Sequence, residues 1–103
     1  MSSQAEERYG KVMAKAKVCV LAGKTGAKEY SILEKHASQG CNIAFMDKNK
    51  DLGRMIKEEL ENVYHVPVFF FHGDIGSEED RDIFFAAVKE MFGKSDYIIC
   101  KSE

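Results

Sequence analysis

VCVLAGKTGAKEYS, residues 18–31, is the stretch whose reading decides the fold. Lys17 to Ala22 forms a short, near-continuous apolar run, which suits a strand covered on both faces. The run breaks at Gly23-Lys24-Thr25-Gly26, a turn. From Lys28 to Gln39 the residues Tyr30, Leu33 and Ala37 recur at spacings of three and four, the stripe of a helix lying on a core. Gly40 then stops the helix, as a residue in the left-handed conformation does.

The alternation continues downstream. Asn42 to Met46 reads as a second buried strand, ending at Asp47. Asp51 to Tyr64 reads as a helix with Leu52, Ile56, Leu60 and Val63 on one stripe. Val66 to His72 is a third strand, with Pro67 near its start, where a missing donor is tolerated. Gly73-Asp74-Ile75-Gly76 is a loop. Ser77 and Asp80 form a variant capping box, and Glu78 and Glu79 favour the positive end of the helix that runs to Phe92. Gly93 ends it, and Asp96 to Cys100 is a fourth strand. Strand and helix alternating through short loops imply a parallel sheet with right-handed crossovers. Residues 1–16 are polar, with Ala and Lys, and are expected to be a partly helical lead-in.

Composition narrows the function. A chain of 103 residues allows one domain and not two, and so small a domain has a thin stability margin. The net charge of −2 excludes the basic excess of a nucleic-acid-binding face. Lys11, Lys15 and Lys17 read as a solvated helix face. The three cysteines, Cys19, Cys41 and Cys100, are odd in number and lack metal-ligand spacing. Cys19 and Cys100 sit in apolar runs, where a thiol acts as a small hydrophobe, so a reduced, cytoplasmic protein is expected. No signal-peptide stretch opens the chain. No apolar run approaches the roughly 20 residues that span a bilayer. No acidic cluster follows the first strand, which speaks against a receiver-type domain.

Five features, in order and without gaps, resemble the N-terminal half of the short-chain dehydrogenase/reductase family. VCVLAGKTGAKEYS (18–31) is similar to the family's opening strand and glycine turn. Ser38-Gln39-Gly40-Cys41-Asn42 is similar to its "EEGAxV", and Asp47-Lys48-Asn49 to its "DRN". FFFHGDIGSEED (69–80) resembles "xxxDVSDEED", and VKEMFGKSDYIICKSE (88–103) resembles "xxxxFGxLDxLVNNAG". The resemblance implies an α/β, three-layer Rossmann-like half domain over residues 17–103. Its four-stranded parallel sheet would have the order 3-2-1-4, with three main helices. It also implies binding of NAD or NADP, with Gly23, Lys24, Thr25, Gly26, Asp47, Lys48, Asp74 and Ile75 as candidate cofactor-binding residues.

The departures are informative. Against the family's TGxxxGxG turn, Gly23 matches the first glycine, while Ala27 and Glu29 stand where the second and third belong. Those glycines let backbone approach the pyrophosphate. Ala27 adds only a methyl. Glu29 brings a negative side chain to the helix start where phosphates bind. Two unit charges about 4 Å apart repel by roughly 4 kcal/mol at an effective dielectric near 20, up to about three decades of affinity. Lys24 is either a phosphate contact, including the 2′-phosphate of NADP, or a solvated loop lysine. Asp47 is either the acceptor for the adenosine ribose hydroxyls, which leans to NAD, or a cap for the next helix. Lys48 would favour a phosphate. Asp74 and Ile75 either flank the adenine or serve as a turn and a core residue.

The family's reaction needs a Ser, a Tyr and a Lys, the last two as YxxxK on a helix. They follow the fourth strand in the family, so no catalytic residue is assigned here and the chain is expected to be truncated and inactive alone. Tyr97 and Lys101 spell YxxxK, but on a strand, where four residues span about 13 Å. His36, His65 and His72 share neither metal-ligand nor triad spacing, so no metal is expected. The fourth strand would be a sheet edge, and a homodimer or a second chain pairing there is expected. Three functions stay open: a dinucleotide-binding module or pseudoenzyme, one part of a split oxidoreductase, and a structural α/β protein without ligand.

Overall fold

The computed structural model describes residues 16–101. Most of the expected lead-in, Lys11 and Lys15 of the basic stretch, and Ser102-Glu103 therefore lie outside the described residues. Four strands, β1 (Val18–Gly23), β2 (Asn42–Asp47), β3 (Val68–His72) and β4 (Tyr97–Lys101), form a parallel sheet in the order β3-β2-β1-β4. Three helices, α1 (Ala27–Ser38), α2 (Lys50–Tyr64) and α3 (Glu78–Phe92), connect them. This is the α/β architecture and the 3-2-1-4 order expected from the sequence.

The apolar runs mark the central strands because both faces of those strands are covered. Every residue of β1 and β2 is buried. Side chains alternate across the sheet. Cys19, Leu21, Ile43 and Phe45 face α1 and α2, meeting Leu33, Ile56 and Leu60. Val18, Val20, Ala44 and Met46 face α3, meeting Phe84, Val88 and Phe92. Burying one large apolar side chain contributes about 1.5–3 kcal/mol, and Phe45 and Phe84 anchor the two layers. Two helices thus cover one face and one covers the other. Ile98, on the α3 face of β4, stays 55% exposed.

Boundaries differ from the sequence reading by one or two residues. β3 starts at Val68, not Val66. Pro67 has no N–H for the ladder, and only its carbonyl is used, accepting from Ile43 N–H at 3.0 Å. Gly40 and Gly93 end α1 and α3 with φ of 87° and 79°, a conformation costly for other residues. The expected Ser77–Asp80 box is only half formed. Ser77 Oγ accepts from Asp80 N–H at 3.2 Å, but the Asp80 carboxylate accepts from Asp74 N–H at 2.9 Å. The helix cap is thereby tied to the loop after β3. Among the described residues, no helix is long and apolar enough to cross a membrane.

Candidate functional site

Parallel α/β sheets bind ligands beyond the carboxyl ends of their strands. Here that end holds a cleft of about 200 Å³ over β1, β2 and β3. It brings together Gly23, Lys24, Asp47, Lys48 and Ile75, with Met46, Asn49 and Gly73 completing the wall. Small-molecule sites usually run from about 300 to 1,000 Å³, so this cleft of about 200 Å³ is smaller than most. Its walls are mixed. Met46 and Ile75 are apolar, Asp47 is acidic, and Lys24 and Lys48 are basic.

Asp47 is the buried polar centre of the cleft. As the last residue of β2 it points out of the sheet end. Its Oδ2 accepts from Thr25 N–H at 2.8 Å, and its Oδ1 accepts from Asn49 N–H at 2.8 Å. The first bond clamps the turn after β1, and the second shapes the start of α2. Asn49 in turn caps α2, its Oδ1 accepting from Leu52 N–H at 3.0 Å. A carboxylate offers about four acceptor positions, so these two bonds leave about two unused.

The turn after β1 is arranged differently from an open anion receptor. Glu29, at the third position of α1, is buried, and its Oε1 accepts from Gly26 N–H at 3.1 Å. Glu29 thus supplies the carboxylate half of a capping box, and glycine, without a side chain, leaves the other half unmade. Thr25 N–H and Gly26 N–H, two consecutive amides of the turn, both donate to carboxylates of the same chain. An anion approaching this turn would meet occupied donors and a carboxylate at the helix start.

Asp74 does not line the cleft; it builds the loop beside it. Its Oδ1 accepts from Gly76 N–H at 2.8 Å and its carbonyl from Ser77 N–H at 2.9 Å. Arg81 donates to the Ile75 carbonyl, and this loop presents Ile75 to the cleft. Thr25 and Gly26 line instead a groove of about 270 Å³ between α1 and α2, with Tyr30, Met55 and Glu59. Burial, followed by the Glu59 carboxylate beside it, raises the Tyr30 hydroxyl above the usual tyrosine range.

Tyr97 and the backbone of Lys101 lie on β4, so the YxxxK there is not the helical pair. His36 is on α1 with its ring 4.8 Å from that of Tyr97, His65 caps α2, and His72 ends β3. Among the described residues no cluster of His, Cys, Asp or Glu could hold a metal ion. Met46, Asn49 and Gly73 were not singled out from the sequence. The parallel register supplies the signal, because pairing Asp47 with His72 sets the residues next to them side by side at one rim.

A 3-2-1-4 parallel sheet with a cleft at its carboxyl edge defines a Rossmann-like α/β architecture. The same fold occurs in solved dehydrogenase and reductase structures. The chain is similar to NAD+-bound xylitol dehydrogenase, with 26% identity and a TM-score of 0.74 over 80% of this chain and 31% of that one. It is also similar to L-sorbose reductase from Gluconobacter frateurii, complexed with NADPH and L-sorbose, with 23% identity and a TM-score of 0.80 over 85% and 34%. The chain thus spans about a third of the length of the structures it matches, and its fold is that of the N-terminal half of such enzymes. No protein-family model matches the sequence, and no curated protein matches it significantly.

Proposed function

We propose that the chain is a nucleotide-binding module of the short-chain dehydrogenase/reductase type, which takes the adenosine end of a nicotinamide dinucleotide in the cleft over β1–β3. One observation carries this reading: Asp47, at the end of β2, faces the same 200 Å³ cleft as Gly23 and Ile75. Asp47 would accept the ribose hydroxyls, Ile75 would pack against the base, and Lys24 would reach a phosphate. The buried Asp47 carboxylate disfavours a 2′-phosphate, so NAD is proposed over NADP; Lys48 on the rim opposes this only partly. Tyr97 and Lys101 share strand β4 rather than a helix, so this YxxxK is not proposed as a catalytic pair. Buried free thiols at Cys19 and Cys41 fit a reducing compartment such as the cytoplasm.

Calorimetric titration with adenosine, NAD+ and NADP+ tests the reading. Saturable binding of at least one, weakened by Asp47→Ala, is expected. No saturable binding of any of the three up to millimolar concentration would overturn it.

β4 is a sheet edge on which Tyr97 and Ile98 are exposed. Edge strands pair readily with another strand, and this favours self-association of two copies through β4. Sedimentation at micromolar concentration should show a dimer that Ile98→Lys dissociates. A wild-type monomer would refute the pairing.

A further inference from the structure

We propose that Glu29 weakens the hold of the turn on the dinucleotide's phosphates, so that the adenosine end supplies the affinity and the rest of the dinucleotide adds none. The inference rests on the reading that the cleft takes adenosine. It concerns the adjoining turn, where the phosphates of such a ligand would lie.

The start of a helix after a parallel strand attracts anions for two reasons: its first amides lack partners, and the helix dipole is positive there. In this chain the cap amide is already taken, and a carboxylate stands at the positive end of the dipole. Gly26 N–H is bonded to Glu29 Oε1 at 3.1 Å, and Thr25 N–H to Asp47 Oδ2 at 2.8 Å. The fit around the carboxylate is close, since a Cβ built on Gly26 would lie 3.0 Å from Glu29 Oε1. Glu29 is 5% exposed, so solvent screens its charge poorly. An entering phosphate must displace a buried carboxylate from its donor or accept a like charge at contact distance. Lys24 stands on the cleft side of the turn and is exposed. An exposed lysine offsets little of a buried charge. Adenosine carries no phosphate and so meets neither cost.

The test measures adenosine, AMP and NAD+ binding by calorimetry on the wild type, Glu29→Gly and Glu29→Gln. Glycine restores the small residue of the motif. Glutamine keeps an acceptor for Gly26 N–H and removes the charge, so it retains the fold where glycine weakens the helix. For the wild type, adenosine should bind at least as tightly as AMP or NAD+. Affinity for NAD+ relative to adenosine should rise about tenfold in Glu29→Gly, equivalent to about 1.4 kcal/mol, and by a smaller factor in Glu29→Gln. The ratio is taken within each variant, so a general loss of stability leaves it unmoved. A wild type that binds NAD+ tenfold tighter than adenosine overturns the inference while leaving the cleft's function intact. So does a ratio that neither substitution changes. No adenosine binding by any variant overturns the cleft reading itself, and the inference falls with it.

Discussion

Thr25 N–H donates to Asp47 Oδ2 across 2.8 Å, a buried bond between residues 22 positions apart that fastens the turn after β1 to the end of β2. The side chain that would receive a ribose therefore also holds the loop that forms the cleft wall. Binding and local stability are coupled through one carboxylate.

Asp47→Ala tests that coupling. It leaves the buried Thr25 N–H without its acceptor and frees Asn49 N–H. An unsatisfied buried donor costs about 1–3 kcal/mol. Urea unfolding should show a loss in that range with an unchanged slope, and adenosine binding should weaken as well. Asp47→Asn keeps one acceptor oxygen and should lose about half as much stability. Equal stability of Asp47→Ala and the wild type would mean that the turn does not depend on this bond.

Gly53→Ala sets two effects of opposite sign against each other. Alanine is better than glycine inside a helix by about 1 kcal/mol. At this position, however, α2 crosses β3 so closely that a Cβ would overlap three atoms of the Phe70 ring. That ring stacks on the buried Phe45, their centroids 5.0 Å apart, and retreating from the new methyl would disturb that stack. Overpacking costs typically about 1–3 kcal/mol, so packing should win, with a net loss of up to about 2 kcal/mol in urea unfolding. A more stable variant would show that the α2–β3 contact is looser than described.

Nearly all of the architecture was legible in the sequence, and the site only in outline. Runs such as Val18–Ala22 are unambiguous because central parallel strands are buried on both faces, and Gly40 and Gly93 mark helix ends because few other residues adopt their conformation. The residue types at the cleft were legible too, since strand ends converge in a parallel sheet. What each carboxylate bonds was not. Asp47 read equally as ribose acceptor or cap, and the structure shows it bonded to amides on both sides. Asp80 was expected to return to its own cap and instead reaches Asp74, six residues back. Such choices depend on loop geometry at the scale of an ångström, which spacing does not encode.

Asp96 supplies a pH dependence. Its Oδ2 accepts from Val18 N–H at 2.7 Å, tying the start of β4 to that of β1, and Lys94 Nζ lies 3.5 Å away. The Val18 N–H is the main cause that holds this carboxyl below its ordinary value of 3.8; partial burial opposes it, and Lys94 and Lys17 assist. A pKa lower in the folded state than in the unfolded one gives stability that is full above the unfolded value and is lost as pH falls through the folded value. Asp96→Asn should therefore lower Tm at neutral pH, with the gap to the wild type narrowing as the pH drops below 3.8. Melting curves across that range check it. A gap that stays constant into acid would show that the charge contributes nothing.

Cys19 and Cys41 give a prediction about dynamics. Both are buried and free. Burial, with Cys41 as a lesser cause, pushes the Cys19 thiol up to about 12. Cys41 is raised as well, by burial first and then by Asp96, with Lys17 opposing. The thiolate is the reactive form. At pH 7 a thiol near 12 is ionised to about one part in 10⁵, against a few per cent for an ordinary cysteine. Alkylation resolved by mass spectrometry should therefore find Cys19 almost inert in the native protein. Cys19 lies on central strand β1, paired to β2 and β4 on its two sides, so its exposure requires the sheet to open. Its labelling rate should rise with urea in step with global unfolding. Labelling of Cys19 at the rate of a free peptide thiol would show that β4 leaves β1 readily, and the sheet would then not be the single cooperative unit described here.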